Sequence, residues 1–314
     1  MNWQTLRRGE KAVASNRTVI KVAGPVLAAV AVGAVAVIGL TAKSSTNEAA
    51  PSPAGTAEKA APADPATPIT GQAGDPATWR LPIEAYTPTK PQALLISKSR
   101  DQLMKECMTA AGFPQWTPAP DLPTVGGKTL TDWRYGIHDT AQAATRGYHP
   151  DAEAQKAYDK AMMAGAVDKS HADKEQVRRC VQAADAQVPA PQSSEVVEAI
   201  TGASYQDAAK DPKVIAVFTQ WSSCMKAKGY SYKEPLDTVD DPRFHNPREV
   251  SSLEIATATA DLECRSHYPV ARTWFDAESA LQTKAIKAHQ KELNAVKAEN
   301  ASTVSKATAV AAAK

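Results

Sequence analysis

Apolar residues are distributed along this chain in two ways. Between Lys21 and Lys43 they form a block, Val22–Ala42, of 21 consecutive residues without a charge. Beyond residue 90 they recur every three or four positions, the spacing that gathers them on one face of a helix. At about 1.5 Å per residue the block is long enough as a helix for the roughly 30 Å hydrocarbon core of a bilayer. Its backbone polar groups would then all be satisfied internally, as lipid requires. The block predicts a transmembrane helix at 22–42. The alternative is a cleaved signal peptide, because Leu40-Thr41-Ala42 ends in small residues.

Residues 43–91 hold nine prolines among Ala, Thr, Ser and Gly. Such composition buries too little apolar surface to offset chain entropy, and Pro-rich chain is stiff, so a disordered stalk is predicted. Helical periodicity then divides the chain into a first unit at 92–192, a second at 193–299 and a flexible tail at 300–314. In the first, Ile96, Leu103, Cys107 and Ala110 share a face that ends at Gly112. Shorter helices follow at Thr140–Arg146 and Asp151–Gly165, and a clearer one at Lys169–Val188, with Val177, Cys180, Val181, Ala184 and Val188 as its stripe. The second unit opens with short helices between Ser194 and Lys210. Asp211-Pro212 is an N-cap followed by proline at the first helical position. The helix it starts points Val214, Val217, Phe218, Trp221, Cys224 and Met225 inward. Ser251 with Glu254 forms a capping box for the next helix, which Pro269 should kink or break. A long helix then runs from Val270 past His289 to Val296.

The two units repeat a motif. Cys107-Met108-x-x-x-Gly112-Phe113 matches Cys224-Met225-x-x-x-Gly229-Tyr230, and each is followed by a helix with a cysteine on its apolar stripe, Cys180 or Cys264. Four cysteines allow three pairings. The repeat selects Cys107–Cys180 and Cys224–Cys264. A redox or zinc site is disfavoured, since no two cysteines form a C-x-x-C pair.

Charge then sets the topology. Arg7, Arg8, Lys11, Arg17 and Lys21 face a single acid, Glu10, before the apolar block, so positive-inside bias places residues 1–21 in the cytoplasm and the C-terminal mass outside. The basic excess lies in residues 1–42, which leaves the rest of the +2 chain at −2. That disfavours a nucleic-acid partner, which would select a basic patch. The exterior is oxidising, so disulfides should persist there. An aromatic content of 6% suits an all-α domain better than a β-sandwich.

Trp221-x-x-Cys224-Met225 with Gly229-Tyr230, Glu254–Cys264, Trp274-Phe275 with Glu278, and Arg134-Tyr135-Gly136 with Arg146-Gly147-Tyr148 together resemble uncharacterised secreted or membrane-anchored helical proteins of actinobacteria. The resemblance covers most of residues 95–295. It implies an extracytoplasmic helical domain and supplies no catalytic residue or cofactor. His267-Tyr268-Pro269 departs from the longer unbroken helix of that family.

Several clusters are candidates for chemistry. His138-Asp139 and His149-Pro150-Asp151 with Glu153 offer metal ligands without fixed spacing, so solvated loop is the plainer reading. Asp237, Asp240 and Asp241 with His245 offer oxygens for Ca²⁺ but lack the EF-hand order. Trp116, Trp133 and Tyr135 flank a Gly-Gly loop and form a candidate binding surface for a sugar or peptide. The plainer reading is that they cover the first helix pair as satellite core. Trp221 and Trp274 fall on core faces. Lys284, Lys287, Lys291 and Lys297, with Glu292 and Glu299, form a solvated face or a docking helix. No nucleophile elbow, P-loop or H-E-x-x-H is present. The expectation is a non-enzymatic, single-pass, membrane-anchored accessory module that binds an envelope or cell-wall partner and needs no cofactor. The alternative is a cell-wall hydrolase using paired carboxylates.

Overall fold

The computed structural model describes residues 74–246 and 248–313, and these lie within one compact unit. The expected cytoplasmic segment, transmembrane helix and most of the stalk lie outside the described residues. Among the described residues there is no strand, and no helix is long and apolar enough to cross a membrane. The described residues form, in order, the α-helices α1 Lys90–Ala110, α2 Thr140–Arg146, α3 Ala152–Gly165, α4 Lys174–Gln187, α5 Glu195–Ala208, α6 Pro212–Ala227, α7 Ser252–His267, α8 Val270–Ala288 and α9 Gln290–Ala312. Short 3-10 turns lie at Pro76–Thr78, Pro82–Tyr86, Pro235–Thr238 and Pro242–Phe244.

Local sequence explains the boundaries. Thr89 and Gln92 form a reciprocal capping box before α1. Asp139, Asp151, Asp173, Asp211 and Ser251 each accept from a first-turn amide of the helix that follows. Tyr268 and Pro269 separate α7 from α8, as the proline predicts. The two repeated motifs end their helices identically. Phe113 N–H donates to Met108 O at 2.9 Å and Gly112 N–H to Thr109 O at 3.1 Å. Tyr230 N–H donates to Met225 O at 2.9 Å and Gly229 N–H to Lys226 O at 3.0 Å. Both glycines have left-handed φ, +92° and +90°. These are Schellman closures, and they hold Cys107 and Cys224 one turn before the stop. The disulfides are Cys107–Cys180 and Cys224–Cys264, as the repeat selects.

Helices α1, α4 and α9 enclose Ile96, Leu103, Ala184, Val188 and Ala307. α2, α7 and the loops beside them enclose Ile137, Ala143, Tyr148, Phe244, Ala258 and Leu262. α5 and α6 pack on α8, around the rings of Trp79, Tyr135, Tyr205, Phe218, Trp274 and Phe275.

The structure corrects four expectations. The stalk does not extend to residue 91: Trp79, Leu81 and Ile83 are buried, with the Trp79 ring 5.0 Å from Phe275. The prolines here start 3-10 turns, and the alternating apolar residues between them enter the core. The tail at 300–314 does not fray. α9 runs to Ala312, and its small residues allow close approach to α1, where Ser99 Oγ donates to Ala307 O at 2.8 Å. Third, the last helix is interrupted at exposed His289, so that α8 serves α5 and α6 while α9 lies along α1. Finally, the units 92–192 and 193–299 are interleaved, with α9 packed on α1 and α7 on α2.

Candidate functional site

The three aromatics singled out by sequence do not form one surface. Trp116 and Trp133 are half-buried, Trp133 against the α2–α7 cluster. Tyr135 is 1% exposed and belongs to the core. Its ring lies among those of Trp274, Phe275 and Trp79, in the core around α8 rather than over the first helix pair.

The metal-ligand candidates are dispersed. His138 Nε2 meets Asp132 Oδ1 at 2.5 Å, and His149 lies against Glu254 rather than Glu153. Asp237 accepts from Lys233 and Glu234 N–H, while Asp241 is held by Arg243 and Tyr232. The Arg243 guanidinium keeps the Asp241 carboxyl well below the usual carboxylate range. Among the described residues, no group of three or more His, Cys, Asp or Glu side chains is placed to hold a metal ion. Lys284, Lys287, Lys291 and Lys297 are exposed, a solvated face.

Beneath this surface lie polar clusters that periodicity does not reveal. Glu278, on α8, is fully buried. Its carboxylate accepts from Arg134 Nε (3.0 Å) and Nη2 (2.7 Å), Tyr135 Oη (2.7 Å) and Gln282 Nε2 (2.9 Å). Gln282 Oε1 in turn accepts from Ile83 N–H at 3.1 Å. Burial and the Glu278 charge push the Tyr135 phenol well above its ordinary range, so it remains a donor. Arg134 also stacks on Tyr205, 4.4 Å from the ring centroid.

Asp261, on α7, forms the second cluster. Trp221 Nε1 donates to it at 2.8 Å and Arg265 Nε at 2.6 Å, while Arg265 Nη1 donates to Tyr135 O at 2.6 Å. Burial raises the Asp261 carboxyl above its ordinary value, against the pull of Arg265.

The third cluster lies at the corner between α2 and α3. Gly147 has φ +58°, and a Cβ there would come within 2.5 Å of Glu254 Oε1. Only glycine lets the chain pass so close to this carboxyl group. Tyr148 N–H donates to Glu254 Oε1 at 3.0 Å. His149 Nε2 lies 3.5 Å from the same oxygen, outside hydrogen-bonding geometry, and both His149 Nε2 and Glu254 Oε2 are buried without a partner. Burial raises the Glu254 carboxyl and lowers the His149 imidazole relative to their ordinary values.

A depression of about 320 Å³ between α2 and α7 is lined by Thr140, Ala143, Thr259, Leu262, Glu263 and Ser266. Its single carboxylate, Glu263, is bonded to Lys228. Helix α3 has no buried residue, and Met162, Met163 and Val167 stand 47%, 74% and 61% exposed at its C-terminal end. No protein-family model matches the chain, and no curated protein and no solved structure matches it.

Proposed function

We propose that this chain is a non-enzymatic, membrane-anchored accessory module of the cell envelope, allied to the actinobacterial proteins it resembles, that captures an envelope protein through α3. The single observation that carries the reading is the contrast between α3 and the body behind it. The buried carboxylates Glu278, Asp261 and Glu254 each bond to the chain's own donors. Helix α3 instead presents Met162 and Met163 to solvent, and the segment just after it presents Val167. Methionine is flexible and polarizable, suited to a surface that adapts to a partner.

Charge selects the class of partner. Exposed Glu153, Asp159 and Asp168 balance exposed Lys156, Lys160 and Lys169 around the apolar face. Anionic lipid or nucleic acid would favour a basic surround. A balanced one fits the apolar face of another protein, here a helix of a neighbouring envelope protein. The disulfides fit an oxidising exterior, and Val22–Ala42 supplies the anchor.

The test is site-specific photocrosslinking in cells, with the probe at position 163 and a control probe at Lys297. The expected outcome is a 163-specific adduct with a distinct envelope protein. The adduct should be lost in a Met162→Glu/Val167→Glu variant of unchanged melting temperature. Adducts only with a second copy of the chain, equal adducts from both positions, or release of soluble fragments from purified cell wall would each overturn the proposal, the last in favour of a hydrolase.

A further inference from the structure

From Val270 onward the sequence contains neither glycine nor proline, and residues 276–299 are mostly Ala, Lys, Glu, Gln and Leu, which favour a helix. The helix nevertheless breaks at His289, which has φ −110° and ψ 22°. Helical bonding stops with the His289 amide on Ala285 O and resumes with Leu293 N–H on His289 O, each at 3.0 Å. Gln290, Lys291 and Glu292 form an exposed first turn of α9 that no side chain caps. The other breaks between helices carry a glycine, a proline or a capping side chain; among the described residues this one alone carries none. Local preference and the observed path of the chain therefore disagree at this junction.

The docking of α9 holds the break in place. This helix packs along α1 and the Pro82–Tyr86 turn, and much less on α8. Leu293 and Ala307 are fully buried, and Val304 and Val310 lie against the cluster of Ile96, Leu103, Ala184 and Val188. Ser99 Oγ donates to Ala307 O at 2.8 Å, and Asn300 Nδ2 donates to Tyr86 O at 2.9 Å. Removing α9 would expose the apolar face of α1 to water. Helix α9 can therefore straighten onto α8 only where another α9 takes its place. A second copy of the chain supplies one, with the same side chains in the same register.

We propose that His289 is a domain-swap hinge. Two copies pair about a two-fold axis, residues 270–312 of each form one unbroken helix, and each α9 lies along α1 of the other copy. The α9–α1 contacts of the single chain are remade between chains, and each junction gains the helical backbone bonds that the break interrupts. The exchange is reciprocal, so it closes at two copies and does not propagate. The swap concerns α9 and does not rest on the reading of α3 given above.

The test places a photoreactive residue at Val304, half-buried against the α1–α4 cluster, in the full chain expressed in cells. Irradiation should give a two-chain adduct whose crosslinked peptide lies in α1 of the other copy. Adducts within single chains only, or two-chain adducts that map elsewhere, overturn the proposal. Variants of exposed His289 test the hinge without the probe. The dimer dissociation constant is measured by sedimentation equilibrium of the full chain in mild detergent. His289→Asn offers α9 a cap that stabilises the break, and a dimer has two hinges, so the constant should rise about thirtyfold. His289→Ala favours the continuous helix and should lower it about tenfold. A chain that stays monomeric, a constant that neither variant moves, or shifts in the opposite sense would overturn the hinge. The crosslink at position 163 reports on α3 separately, so either reading can fail without the other.

Discussion

Reduction of the two disulfides gives the most direct test of how the helical body is held. Cys107–Cys180 closes a 73-residue separation and Cys224–Cys264 one of 40. Loop-closure entropy gives about 4.4 kcal/mol for the first and about 3.9 kcal/mol for the second. The two loops do not overlap in sequence, so their contributions should add. At about 2–4 °C per kcal/mol for a domain of this size, full reduction should lower the melting temperature by roughly 15–30 °C. Cys180 and Cys264 are fully buried, so replacing them with alanine would add a small cavity cost that reduction avoids. Calorimetry of the oxidised and reduced protein is the primary assay. The paired variants Cys107→Ala/Cys180→Ala and Cys224→Ala/Cys264→Ala then apportion the loss. A fall of less than about 5 °C on complete reduction, or one pair carrying the whole effect, would refute the entropic account.

Glu278→Ala leaves Arg134 charged and buried, and should cost about 3–5 kcal/mol. The combined Arg134→Met/Glu278→Leu protein should recover most of it. Denaturant titration of the two single variants and the double variant checks this, and strictly additive losses would show that the pair is not coupled. Trp79→Ala should cost about 3–5 kcal/mol, because it empties a site inside the aromatic core, while Trp116→Ala, at a half-buried position, should cost about 1 kcal/mol. Equal losses at both positions would return residues 74–86 to the stalk.

The helices, their caps and the cysteine pairing were legible because they rest on short-range chemistry. An aspartate before a helix, a glycine at its stop and an apolar repeat of 3.6 residues are written within a few positions of one another. The errors arose where one property was averaged over a segment that changes character within it. Proline density marked all of 43–91 as stalk, although Trp79, Leu81 and Ile83 need only two 3-10 turns to reach the core. Alanine-rich sequence marked 300–314 as tail, although small side chains are what let α9 approach α1. The polar clusters were illegible for a different reason. Glu278 lies 144 residues from Arg134, and Tyr148 lies 106 residues from Glu254. Only the fold makes a buried carboxylate of a residue that a helical wheel assigns to solvent.

The distribution of these long-range ties also accounts for the place of α3. Residues 81–83 reach Gln282 through the Ile83 amide, residues 134–135 reach α7 and α8 through Arg265 and Glu278, and Tyr148 reaches Glu254 and Asp261. Each joins segments remote in sequence, so local opening of one element strains several others, and the body should unfold cooperatively. Helix α3 lies outside that mesh. It buries no residue of its own, and its entry is fixed by the corner that Gly147, Tyr148 and His149 make against Glu254. An element arranged in this way can change its exposed side chains at little cost to the body. Its orientation, meanwhile, depends on a few close contacts of that corner with Glu254.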